Sequence, residues 1–147
     1  MHLAQINIAR LRAPIDDPSI VDFVNNLDGV NALAEASPGF VWRLKSDSGN
    51  ATDIPFSDDP LTIVNMSVWT SVDALREFTY KGHHLEIFRR RPEWFEKPAQ
   101  APYCLWWISE GHLPTVDEAR ERLEHYRAHG ATSRAFWFSQ VYEYAAA

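Results

Sequence analysis

The run from Leu61 to Phe95, LTIVNMSVWTSVDALREFTYKGHHLEIFRRRPEWF, gathers most of the side chains that could do chemistry. His83 and His84 head it, because histidine exchanges protons near neutral pH. Adjacent helical residues point about 100° apart, so both are not expected in one pocket. His84 shares a helical face with Ile87, Phe88 and Arg91, and His83 shares one with Ile87, Arg90 and Trp94. An apolar surround would keep the His84 imidazole neutral, as a general base requires. The bland reading of either residue is a helix-start histidine bonded to backbone.

Asn7 and Asn65 come next. Each falls inside a strand-like run, where a side-chain amide is disfavoured unless it has partners. Their N–H groups could hold a ligand carbonyl or a developing oxyanion, and a cross-strand hydrogen bond is the plain alternative. Trp42, Trp69, Tyr80 and Tyr103 could wall a flat apolar pocket, with core packing as the alternative. Arg91, in the basic run Arg89–Arg90–Arg91, could meet a carboxylate or phenolate. No further His, Cys or carboxylate stands at metal-ligand spacing from the histidine pair, so no metal site is expected. There is no glycine-rich phosphate loop, nucleophile elbow or CxxC. Cys104 is the sole cysteine and lies in an apolar run, so it reads as a core residue.

These residues need a scaffold. Alternation from His2 to Leu11 predicts a strand with Ala4, Ile6 and Ile8 on one face and Leu3, Gln5, Asn7 and Ala9 on the other. Asp17 and Pro18 cap and open a helix that Ser37–Pro38–Gly39 stops. Phe40 to Lys45 is a second strand, with Phe40, Trp42 and Leu44 expected on one face. Ser46 to Pro60 is a polar loop long enough to serve as a lid. Leu61 to Trp69 is the third strand. Ser71 caps a helix that Gly82 interrupts, and a second helical piece runs from His83 to Arg90 before Pro92. Ala101 to Ser109 is the fourth strand. Thr115 with Glu118 forms a capping box for a helix from about Val116 to His129. The apolar tail after it is expected to dock, in one arrangement as a short added strand.

Strand-helix-strand-strand-helix-strand plus a C-terminal helix predicts one α+β domain over residues 1–147, of the ferredoxin-like βαββαβ kind. Leu61, Ile63 and Trp69, with Phe40 or Trp42, would leave an apolar sheet face bare. Pairing two such faces predicts a homodimer that encloses a barrel-like cavity, a dimeric α/β barrel. The net charge of −6 argues against nucleic acid. No run approaches a membrane span, and the N-terminus shows no secretory pattern, which together predict a cytoplasmic protein.

The pattern WTSVDALREFTYKGHHLEIFRRRPEWF after an apolar strand, with AQINIARL at the start and PTVDEARERLEHYRAHG near the end, resembles a family of small bacterial proteins known only as a domain of unknown function. That family is similar to the dimeric α/β-barrel group near the antibiotic-biosynthesis monooxygenases. The wider group holds cofactor-free oxygenases, haem-degrading monooxygenases, chlorite dismutases, isomerases, aldoxime dehydratases and polyketide cyclases. The resemblance fixes a place for the site by fold analogy and leaves the chemistry open. In the haem-degrading members an Asn on the first strand, a Trp on the second helix and a later His form the site. Asn7 matches the first, Phe78 stands where the Trp would be, and the haem-ligand position falls near Phe88.

Two classes of function follow. In the first, an enzyme without a cofactor acts on an aromatic or polyketide-like molecule. A histidine removes a proton, the asparagines hold the anion, and oxygenation, isomerisation or cyclisation follows. In the second, a non-catalytic dimer binds a hydrophobic ligand, or haem serves a monooxygenase or dehydratase.

Overall fold

The structure is a computed structural model that describes residues 1–80 and 82–143; side chains are described from residue 85 onward in the second stretch. Among the described residues there are four strands, β1 (His2–Arg10), β2 (Phe40–Arg43), β3 (Thr62–Trp69) and β4 (Tyr103–Ile108). The helices are α1 (Val21–Ala36), α2 (Val72–Thr79), α3 (Gly82–Arg89), α4 (Arg91–Trp94) and α5 (Val116–His129). The strands form one antiparallel sheet in the order β2-β3-β1-β4. This is the ferredoxin-like order, with β1 and β3 in the centre, and the α+β expectation holds.

Local chemistry sets the helix starts. The Asp17 carboxylate accepts from Ser19 N at 2.9 Å and opens one 3-10 turn, Pro18–Ile20, that leads into α1. Ser71 Oγ accepts from Ala74 N and caps α2. Thr115 Oγ1 accepts from Glu118 N and caps α5. The Glu118 carboxylate does not complete a capping box; it accepts instead from Trp106 Nε1 at 2.9 Å and bonds His112 at 2.6 Å. Pro92 opens the short α4 rather than ending a longer helix, since its missing N–H is harmless in a first turn. Gly39 has φ +85°, and a Cβ there would lie 2.5 Å from Ala74 Cβ. Only glycine lets the turn before β2 close against the start of α2.

Both sheet faces are packed within the chain. Ala4, Ile6, Val64, Met66, Val68, Cys104 and Trp106 meet Ala119 and Leu123 of α5 and Phe56 of the long loop. On the opposite face, Leu3, Trp69 and Leu105 meet Ala34 of α1, Leu75 of α2 and Phe136 of the tail. Further along that face, Leu61 and Ile63 pack with Leu11, Ile20, Phe23, Ile87 and Trp94. The expectation of a bare face at Leu61, Ile63 and Trp69 is therefore corrected: helices of the same chain cover it. The extra helix α5 packs on the other side through Ala119 and Leu123.

Two further expectations change. Phe40 and Trp42 do not share a face, because the register shifts between them: Phe40 lies opposite Trp69, Trp42 opposite Val68 and Arg43 opposite Ser67. Val41 is the extra residue of this bulge, which turns Trp42 toward the α5 side and Arg43 toward the α1 side. The long loop is not a lid over the amides. Phe56 is buried on the α5 side, its carbonyl accepts from Arg120, and Asp59 pairs with Arg10 at 2.7 Å. The tail docks at the β4 edge through one isolated bridge rather than an added strand: Leu105 and Phe136 exchange backbone hydrogen bonds of 2.7 and 2.9 Å. No helix among the described residues is long and apolar enough to cross a membrane.

Candidate functional site

The helix-covered face is apolar at its two ends and polar between them. One end is the Leu3–Trp69–Leu105 cluster and the other is the Leu11–Ile20–Trp94 cluster. Between them β1 and β3 carry Gln5 and Asn7 opposite Ser67 and Asn65, and Asn7 also lies opposite Tyr103 of β4. Asn7 and Asn65 are exposed, although they sit mid-strand on the two central strands beneath helices. Their exposure leaves open space over the sheet between the two apolar clusters, a hollow in this face.

The helices agree with that hollow. Along α1 the stripe Phe23, Leu27, Val30, Ala34 follows the helical period. Phe23 packs in one apolar cluster and Ala34 in the other. Leu27 and Val30, between them, are half-buried and belong to neither. The helical period turns them to the same side of α1 as Phe23 and Ala34. In the same way Phe78 of α2 packs at one end and Ile87 of α3 at the other.

The sheet floor of the hollow is held by hydrogen bonds. Gln5 Nε2 donates to Asn65 Oδ1 at 2.7 Å and to Ser67 Oγ at 2.8 Å. Trp69 Nε1 donates to the same Ser67 oxygen at 2.8 Å. Gln5 and Ser67 are buried, so these bonds satisfy groups that would otherwise be costly there. Trp69 cannot swing away: Phe78 stacks on it at 5.2 Å and Phe40 meets it edge-on at 5.5 Å. With its carbonyl bound by Gln5, the Asn65 amide has its N–H2 left to face the hollow. Asn7 makes no side-chain hydrogen bond among the described residues, so its amide is available as well.

At the β4 side Tyr103 stacks on Trp137 of the tail, with centroids 3.8 Å apart and planes 17° apart. Trp137 meets Phe138 at 4.6 Å, and Phe138 meets Tyr80 at 5.7 Å. This aromatic wall joins the sheet edge to the end of α2. At the β2 side Arg43 Nε donates to Glu35 Oε1 at 2.7 Å, which ties β2 to α1.

Of the residues picked from sequence, Asn7, Asn65 and Tyr103 come together. Trp69 is fully buried and donates to Ser67. Trp42 stands across the sheet, on the α5 side. Tyr80 is 43% exposed and lines a shallow groove on α2 with Asp73, Arg76 and Glu77. Arg91 is exposed and lies over the Phe88 ring at 3.8 Å. The side chains of His83 and His84 lie outside the described residues. Phe88, at the position the resemblance assigns to a haem ligand, has no lone pair to offer, so this chain does not fit haem there. Sequence reading missed Gln5, Ser67, Arg43 and Trp137. Gln5 and Ser67 were legible from alternation alone; the bulge concealed Arg43, and the irregular tail concealed Trp137.

The four-stranded antiparallel sheet in the order β2-β3-β1-β4, with helices packed on it, defines a ferredoxin-like α+β fold class. The chain belongs to the family described as Domain of unknown function (DUF3291), whose model matches residues 2–147. No curated protein sequence matches it. Among solved structures it is similar to Rv0793 from Mycobacterium tuberculosis, at 16% identity and a TM-score of 0.53, over 76% of this chain and 100% of that one. It is also similar to an asparagine-to-alanine variant of SnoaB, a cofactor-independent oxygenase from Streptomyces nogalater, at 17% identity and a TM-score of 0.51, over 78% and 98%. A third likeness is to a candidate antibiotic biosynthesis monooxygenase from Nitrosomonas europaea, at 14% identity and a TM-score of 0.54, over 75% and 92%. At these identities the likeness establishes the fold.

Proposed function

We propose that this protein is a cofactor-independent enzyme that forms and holds the anion of a planar, phenolic or enolisable aromatic molecule, and that O2 is the co-reactant. The observation that carries this reading is the pair of exposed amides, Asn7 and Asn65, at the centre of a helix-covered sheet face. A hollow between apolar clusters with amide donors on its floor suits a flat molecule with one oxygen that becomes negative. SnoaB, which shares the fold, is a cofactor-independent oxygenase, and this supports the reaction class.

In the proposed reaction a base removes one proton from the bound phenol or from the carbon beside its ketone. Asn7 and Asn65 donate hydrogen bonds to the resulting oxyanion. The anion gives one electron to O2, the carbon radical and superoxide combine to a peroxide, and loss of water leaves a new carbonyl. The base we assign is His84, which stands three residues before Ile87, a residue packed at one end of the hollow. Isomerisation or cyclisation would use the same base and donors and would consume no oxygen.

The test is oxygen uptake with a panel of planar phenols and anthrones. Turnover should fall roughly 10²-fold or more in His84→Ala, the range for general acid–base groups. If the panel is bound with no oxygen uptake and no tautomerisation, the protein is a ligand carrier and the enzymatic reading is wrong.

A further inference from the structure

We infer that Arg43 is an anion-recognition residue of this hollow, and that the ligand carries a carboxylate beside the oxygen held by the asparagines. The inference rests on the function proposed above and adds a substrate feature to it.

The β2 bulge places Arg43 opposite Ser67, on the face that carries Asn65. Asn65 is then its diagonal neighbour across the β2–β3 pair, about 7–8 Å away between backbones, within reach of an arginine side chain. The Arg43 side chain is only 13% exposed. Its Nε donates to Glu35, and its two Nη groups have no protein partner among the described residues. The lone buried and unpartnered side-chain polar atom among the described residues is Arg122 Nε. The Arg43 Nη groups therefore reach accessible space despite the cover around them. The register puts this side chain on the sheet face of Ser67 and Asn65.

A guanidinium with a free edge matches a carboxylate through two parallel N–H···O bonds. Glu35 holds the other edge and is itself 45% exposed, so it orients the fork while remaining partly hydrated. Arg91 was the arginine expected from sequence for this task, but it is exposed and lies over Phe88. A planar hydroxy acid, with its phenolic oxygen at Asn65 and its carboxylate at Arg43, satisfies both groups at once.

The experiment compares 1-hydroxy-2-naphthoate with 1-naphthol, binding each to the full chain at low salt and following tryptophan fluorescence. Wild type should bind the acid roughly tenfold or more tightly than the naphthol, as a charge-assisted pair implies. In Arg43→Gln the preference should vanish while naphthol binding persists, with folding checked by circular dichroism. Glu35→Gln should keep the preference, because the Nη edge remains. Equal affinity of wild type for the two probes, or a preference that survives Arg43→Gln, overturns the inference and leaves the hollow intact. If neither probe binds, the ligand reading of the hollow fails and this inference with it.

Discussion

Gln5 Nε2 lies 2.7 Å from Asn65 Oδ1, a bond between neighbouring central strands that fixes which end of the Asn65 amide faces the hollow. The same nitrogen holds Ser67, so one buried carboxamide organises the floor. Gln5→Leu keeps the bulk but removes the donor from two acceptors. It should lower stability by about 1–3 kcal/mol in urea denaturation. It should also weaken binding of 1-naphthol, because Asn65 would no longer be held with its N–H2 toward the ligand. A variant as stable and as tight-binding as wild type would show that Gln5 does not set this geometry.

Ile63 tests the packing of the helix-covered face. It meets Leu11, Ile20 and Trp94 within the chain. Ile63→Asp places an unpaired carboxylate among them and should cost about 2 kcal/mol or more. The loss should be the same at every protein concentration. A loss that changes with concentration, followed by denaturation at micromolar and hundred-micromolar protein, would place Ile63 at an intermolecular face instead.

Much of the fold was legible because its signals are local. Alternation in β1 and β3, the caps at Asp17, Ser71 and Thr115, and the breaks at Gly82 and Pro92 all depend on neighbours in sequence. The alternation of β1 also exposed the amide face, so Asn7 and Asn65 could be picked out. What could not be read depends on distant contacts. A one-residue bulge at Val41 reverses the faces of Trp42 and Arg43, and no residue type announces it. Which face a helix covers is decided by tertiary packing, so Ile63 and Trp69 read equally well as a dimer surface or as core. The tail lacks a period, and Trp137 gains its place only through the Phe136–Leu105 pairing.

Cys104 is buried in the α5-side core, as its apolar run suggested. Burial pushes its thiol up to about 12, against a smaller opposing pull from Arg122 and Arg127. Almost no thiolate is then present at pH 8, and the thiolate is the reactive form. Iodoacetamide should label Cys104 at the rate of global unfolding, and labelling should stop responding to pH between 7 and 9 only when unfolding limits it. Cys104→Ala should retain ligand binding with a modest stability loss. Rapid labelling of the native protein would contradict the buried assignment.

His125 gives α5 a pH dependence. Its pKa is lowered first by burial, then by His129, whose ring centroid is 4.5 Å away, and by Arg134 and Arg122, while Glu121 opposes them. The folded chain therefore takes up this proton at lower pH than the unfolded chain. Stability is fully present above the ordinary histidine pKa of about 6.5 and is lost as pH falls through the depressed folded value. The depressed carboxylates Asp17, Asp53, Asp59 and Glu93 lose their contributions only at more acid pH. Melting temperatures from pH 8 to pH 5 should fall more for wild type than for His125→Gln. Parallel profiles would assign the loss to other groups.

The central claim is that Asn7 and Asn65 hold a developing oxyanion, and the pKa of bound 1-naphthol measures it most directly. Naphthol and naphtholate differ in absorbance, so a pH titration of the complex reads the ionisation in place. Two amide donors to the anion should lower the bound pKa by at least about one unit relative to free naphthol. The Asn7→Ala, Asn65→Ala double variant should bind the neutral naphthol and return its pKa to the free value or above. An unshifted pKa in the wild-type complex, or the same shift in the double variant, would contradict the claim.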